Sequence, residues 1–249
     1  MVTQSKIALA GSAGQLEGML HLPEMRSLTP TLEKQLAIRL SPQAGKSLVI
    51  SRVAGEGANE SLRETNAYEP RAIAVVAHPL PTMGGTMDNK IVTTLCKTFA
   101  ELGFATLRFN FRGVGASEGE FDSGNGELAD MLAVIQHAQD AFGHLPLILS
   151  GFSFGGYVAA RAAQHLHPHP HKLVLIAPAV GRFAMPTVAH NTLMIHGEQD
   201  EVIPLADALD WARPQHLPIV VLPEAGHFFH GRLNQLKQIV LHEFNGCHL

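Results

Sequence analysis

Leu145-Pro146-Leu147-Ile148-Leu149-Ser150-Gly151-Phe152-Ser153-Phe154-Gly155-Gly156 is an apolar run that passes without a break into Gly-x-Ser-x-Gly. The pattern places Ser153 on a sharp turn between a strand and the helix-like segment Phe154 to His165. Such a turn lifts the serine hydroxyl clear of the sheet. It also aims the Phe154 N–H at the space in front of that hydroxyl. Glycine suits positions 151 and 155 because a side chain at either would collide with the tight turn.

Outward from this stretch, short β-type runs alternate with helix-like segments. The strands read Arg71 to Ala77, Ala105 to Phe111, Leu145 to Ser150, Lys172 to Ala177, Asn191 to His196 and Pro218 to Leu222. They are nearly continuous in apolar residues, as expected of a parallel sheet covered on both faces. Amphipathic segments lie between them at Met87 to Leu102, Glu127 to Phe142, Phe154 to His165, Pro204 to Trp211 and His230 to Phe244. The alternation predicts an α/β fold with a doubly wound, mostly parallel sheet and active loops at the carboxyl ends of its strands. Before it, Ile7 to Leu9 and Leu16 to Leu22 predict an antiparallel hairpin turning at Gly11-Ser12-Ala13-Gly14. Residues 24–69 mix Pro, Gly, Ser and charges. They hold two modest apolar runs, Leu36 to Leu40 and Ser47 to Val53, read as extra antiparallel strands, and a mobile loop over Ala54 to Pro70.

A chain of 249 residues with 46% hydrophobic residues suits one α/β domain over 1–249. Its net charge of -4 gives no reason to expect nucleic acid or an acidic membrane as partner. Cys96 and Cys247 read as free thiols. The apolar run Ile7-Ala8-Leu9-Ala10 is shorter than a secretory core of about 7–15 residues, and no run approaches the ~18 needed for a bilayer. These features set the expectation of a cytoplasmic protein with no membrane partner.

A serine nucleophile needs a base, an orienting carboxylate and an oxyanion hole, and in this architecture the chain order is Ser, then Asp or Glu, then His. After the strand ending at His196 come three acidic candidates, Glu198, Asp200 and Glu201. Asp200 is favoured because it lies mid-turn, whereas Pro204 opens a helix that draws Glu201 towards it. After the last strand, Gly226-His227-Phe228-Phe229-His230 offers two imidazoles. His227 is favoured because Gly226 lets the loop swing back over the sheet, and His230 is assigned to the following helix. In these roles His227 takes the Ser153 proton and returns it to the leaving group, while Asp200 fixes the imidazole tautomer. A histidine base predicts a rate that falls as pH drops through the imidazole range, about 6.5 for the free side chain. In His78-Pro79-Leu80-Pro81, the two prolines have no N–H. Leu80 is therefore paired with Phe154 as the oxyanion donors. Met83, Met185, Phe228 and Phe229, with Phe154, are candidates for an apolar acyl wall.

Three other features carry less. Arg112 to Gly119 does not match a phosphate loop and is read as a structural turn bordering the pocket. His165, His167, His169 and His171 alternate with Leu166, Pro168 and Pro170 and have no carboxylate or Cys beside them, so no metal or cofactor is assigned. Glu127 and Asp130 open a helix, where carboxylates favour its dipole.

Taken together, the chain resembles the α/β-hydrolase superfamily, and within it the small lidless bacterial serine hydrolases related to dienelactone hydrolase and serine esterases. The matching stretches are His78-Pro79 with Gly84 to Lys90, Phe109 to Ser117, Gly151 to Gly156, His196 to Asp200, and Gly226-His227. Two features depart from the pattern: Leu80-Pro81 stands where relatives usually carry a second His-Pro, and residues 24–69 exceed the usual hairpin connection. The resemblance implies a serine hydrolase. Only residues 178–190 separate Ala177 from Asn191, too few for a helical lid. The expectation is an open site cleaving small carboxylic esters through an acyl-enzyme. The alternatives are thioesterase, peptidase or dienelactone-type hydrolysis on the same triad, or a scaffold without catalysis.

Overall fold

A computed structural model describes residues 3–23 and 70–245. The runs expected as strands over 36–40 and 47–53, the loop over 54–70 up to residue 69, and Cys247 lie outside the described residues. Eight strands form one sheet in the order β1-β2-β4-β3-β5-β6-β7-β8. They are β1 (Thr3–Gly11), β2 (Gly14–Leu22), β3 (Ile73–Ala77), β4 (Ala105–Phe109), β5 (Leu147–Phe152), β6 (Lys172–Ile176), β7 (Leu193–Gly197) and β8 (Ile219–Leu222). β1 and β2 form the expected hairpin, longer than its apolar core suggested, and β2 joins β4 antiparallel. From β4 to β8 every pairing is parallel.

The helices are α1 (Lys90–Glu101), α2 (Asn125–Phe142), α3 (Phe154–His165), α4 (Leu205–Ala212) and α5 (Leu233–Phe244). Strand β3 shows why its sequence is continuously apolar. Ile73, Val75 and Ala77 face one core with α2 and α3, whereas Ala74 and Val76 face the other with α1 and α5. Covered on both sides, such a strand has no polar face to alternate. Cys96 is a free, buried thiol on the α1 side. No helix among the described residues is long and apolar enough to cross a membrane.

Side-chain ties hold the hairpin and the loops after β3 and β4 together. Asn110 accepts from the Met87 N–H at 2.8 Å and donates to Glu17 at 2.8 Å. Buried Arg108 bonds the Met87 carbonyl at 2.8 Å and pairs with Asp88. The stretches Gly84 to Lys90 and Phe109 to Ser117 therefore depend on each other. Arg112 pairs with Asp130 at 2.7 Å and reaches Ser12 at 2.8 Å, while Glu127 caps α2 by accepting the Gly124 N–H at 2.6 Å. Both carboxylates are structural, as expected. The turn at 112–119 braces the hairpin, but contrary to expectation none of its residues lines the cavity described below.

Candidate active site

Ser153 sits between β5 and α3 with φ 53° and ψ -116°, a left-handed φ that costs a non-glycine residue energy. Neighbouring backbone holds it there. Its N–H donates to the Ile176 carbonyl at 2.9 Å, and its carbonyl accepts from Gly156 at 2.9 Å and Ala179 at 3.2 Å. The flanking glycines are required by contact. A Cβ on Gly155 would stand 2.4 Å from the Ala77 carbonyl oxygen, and one on Gly151 would stand 2.2 Å from the Gly155 carbonyl. Gly155→Ala should therefore push α3 away from the end of β3. The expected cost is about 1–3 kcal/mol in urea denaturation, and an unchanged midpoint would contradict this packing.

The acidic turn after β7 sorts its three candidates. Asp200 Oδ1 accepts the N–H groups of Val202 at 2.9 Å and Ile203 at 2.7 Å. Its Oδ2 lies 2.8 Å from His227 Nδ1. Glu198 instead accepts the Glu224 N–H at 2.9 Å, and Glu201 the backbone N–H of His227 at 3.3 Å. Burial pushes the Asp200 carboxyl up, but the bonds from His227, Ile203 and Val202 outweigh it and hold it below the usual value. An ionised carboxylate only accepts, so it fixes a proton on His227 Nδ1 and leaves the Nε2 lone pair free.

The imidazole packs against two rings that also touch each other, with Phe152 at 4.9 Å and Phe228 at 5.2 Å between centroids. Beneath Asp200, buried His196 lies 2.9 Å from the Ile203 carbonyl and 3.5 Å from Asp200 Oδ2. His230 is exposed in the turn before α5, which begins only at Leu233.

The loop after β3 is shaped around Leu80, whose carbonyl accepts from Met83 at 3.1 Å and Gly85 at 3.0 Å. A Cβ on Gly85 would stand 2.1 Å from the Pro79 oxygen, so only glycine lets this loop close. The N–H groups of Leu80 and Phe154 have no backbone partner among the described residues.

His78 anchors the same loop; the sequence marked His78-Pro79 only as a stretch shared with the superfamily and gave the imidazole no role. Its Nε2 accepts the Phe111 N–H at 3.0 Å, so Nδ1 carries the proton and donates to the Pro79 carbonyl at 2.6 Å. Burial lowers its pKa to about 4. The unfolded chain protonates this ring near 6.5 and the folded chain only near 4. Its contribution is therefore full above the first value and is lost as pH falls between them. The loss amounts to about 3 kcal/mol at the acid end. Denaturation followed from pH 7 to 4 should show this slope, and His78→Gln should reduce it by that share, the rest coming from buried groups shifted the same way, His21 first among them.

Ser153, His227, Leu80, Phe154, Met83 and Phe228 all line one cavity of about 580 Å³. Ser153 and His227 are buried to 8% and 3% exposure, whereas Met83 and Phe228 are exposed at the cavity's edge. Among the described residues, no hydrogen bond joins the Ser153 hydroxyl to the His227 ring, whose bonded partner is Asp200. Two expected wall residues stand elsewhere. Phe229 is fully buried in the core with α1 and α5, and Met185 packs half-buried against the other cores; neither lines the cavity. Asn89, Phe183 and Arg182 line it without having been anticipated.

Residues 68–189 match the family model described as serine aminopeptidase, S33. An uncharacterized protein of Rickettsia prowazekii is 31% identical over 195 residues, covering 72% of this chain and 81% of that one. A lidless α/β serine hydrolase of Xanthomonas campestris superposes with a TM-score of 0.76 at 32% identity, covering 97% of this chain and 94% of that one. An α/β serine hydrolase homologue of Coxiella burnetii gives 0.71 at 30% identity, with 98% and 97% covered. The chain belongs to the α/β-hydrolase superfamily, among its lidless serine hydrolases.

Proposed function

We propose that the protein hydrolyses small carboxylic esters through an acyl-enzyme on Ser153, with His227 as base and Asp200 as its orienting carboxylate. The observation that carries this reading is the 2.8 Å contact of His227 Nδ1 with Asp200, on an imidazole that shares a cavity wall with Ser153. His227 Nε2 takes the proton as Ser153 Oγ attacks the ester carbonyl, and the oxyanion accepts the N–H groups of Leu80 and Phe154. The protonated imidazole gives its proton to the departing alcohol. Water then attacks the acyl-enzyme by the same route and releases the acid.

The mostly apolar lining suits an acyl chain. Among the described lining residues there is no carboxylate to receive a peptide's terminal ammonium, which ranks esters ahead of aminopeptidase chemistry. Among the described residues no helical lid is inserted between β6 and β7, which favours short chains. The test is a screen of ester, thioester, lactone and amide substrates with Ser153→Ala as blank. Turnover of p-nitrophenyl acetate and butyrate well ahead of the palmitate is expected, and the reverse order would overturn the short-chain reading.

A further inference from the structure

The cavity beside Ser153 holds one permanent charge. Among its described lining residues only Arg182 and His227 have ionisable side chains, and Asp200 already faces the His227 ring. Arg182 forms no ion pair among the described residues. Its one side-chain bond there runs from a guanidinium nitrogen to the Val202 carbonyl at 3.2 Å. Val202 also lines the cavity and donates its own N–H to Asp200. That bond tethers the guanidinium to the wall built by the Asp200 turn and leaves most of its five N–H donors facing solvent, without a protein partner among the described residues. A structural arginine normally finds a carboxylate, as Arg112 does with Asp130. Arg182 is exposed at the edge of this mostly apolar cavity, and with no carboxylate of the described chain beside it the guanidinium is free to meet an anion on the molecule that enters, where its planar fork fits a carboxylate with two parallel bonds.

We infer that Arg182 selects esters carrying a second, free carboxylate: monoesters of short dicarboxylic acids, or acyl esters of short hydroxy acids. The inference rests on the proposed Ser153 chemistry and names its substrate class. Ester hydrolysis of such a molecule releases either a dicarboxylate or a hydroxy acid, with the charge that Arg182 holds untouched by the reaction.

The test compares matched pairs by pH-stat titration. Monoethyl glutarate is set against ethyl 5-methylhexanoate, and butyryloxyacetate against isobutyl butyrate; in each pair the carboxylate is replaced by a neutral group of the same shape. In at least one pair the kcat/KM ratio of anionic to neutral ester should be about tenfold or more. Arg182→Gln should lower that ratio about tenfold, chiefly through KM, and Arg182→Lys should retain part of it. The ratio should also shrink with added salt. Ratios at or below one in both pairs, or a ratio unmoved by Arg182→Gln, would overturn the inference while leaving the esterase reading intact.

If no ester were turned over and no fluorophosphonate attached to Ser153, the esterase reading would fail on its own. The inference would then be decided by calorimetry with monoethyl glutarate on Ser153→Ala. Binding weakened about tenfold by adding Arg182→Gln supports it, and no binding at millimolar ligand overturns it.

Discussion

Ser153→Ala should lower kcat/KM on p-nitrophenyl butyrate by about 10⁴-fold or more, because it removes the atom that forms the acyl bond in the proposed mechanism. The fold should hardly register the change. The Ser153 side chain makes no capping hydrogen bond to α3, and the backbone bonds that hold the turn belong to its N–H and carbonyl. Alanine keeps the same left-handed φ at similar cost, so the thermal midpoint should stay within about 2 °C of the parent. A variant that retained a tenth of the activity would remove Ser153 from the chemistry.

Asp200→Asn should cost about 10³–10⁴-fold in kcat, for a reason visible in the turn. The Val202 and Ile203 N–H groups both point at Oδ1. An asparagine keeps its carbonyl oxygen on those donors and therefore presents its NH₂ to His227. Nδ1 must then accept, which moves the ring proton to Nε2, the atom that has to receive the serine proton. Glu198→Gln is the control, since Glu198 holds only the Glu224 N–H, and its activity should stay within about threefold of the parent. Equal losses at 198 and 200 would show that the turn, rather than the tautomer, is what matters. Asp200 also couples stability to pH. Its carboxyl is held below the unfolded value, so its contribution is present above that value and is lost as pH falls through the lower one.

The parts of this site that sequence reached are those fixed by local rules. Gly151, Ser153 and Gly155 declare their turn because only glycine fits 2.2–2.4 Å from neighbouring carbonyls. Asp200 and His227 follow from position after consecutive strands. Leu80, read from the prolines on either side of it as an oxyanion donor, lines the same cavity as Ser153. What escaped depends on where a side chain points over the top of the sheet. Phe228 and Phe229 are neighbours of the same type, yet one edges the cavity and the other, with φ 50°, fills the core.

Met185 looked like an acyl contact but packs inward, while Arg182, three residues earlier, faces the cavity. In an irregular connection neither period 2 nor period 3.6 predicts that choice. The importance of His78 was hidden for a related reason. Its partner is the Phe111 N–H, on the loop after β4, and only the parallel pairing of β3 with β4 brings them together.

The most direct test of the central claim is mass-spectrometric mapping of a fluorophosphonate adduct on the whole protein, the parent beside His227→Ala. One adduct on Ser153 is expected in the parent, forming at least about 100-fold more slowly without the imidazole. A parent chain left unlabelled, an adduct on another residue, or equal labelling in both proteins would contradict the account.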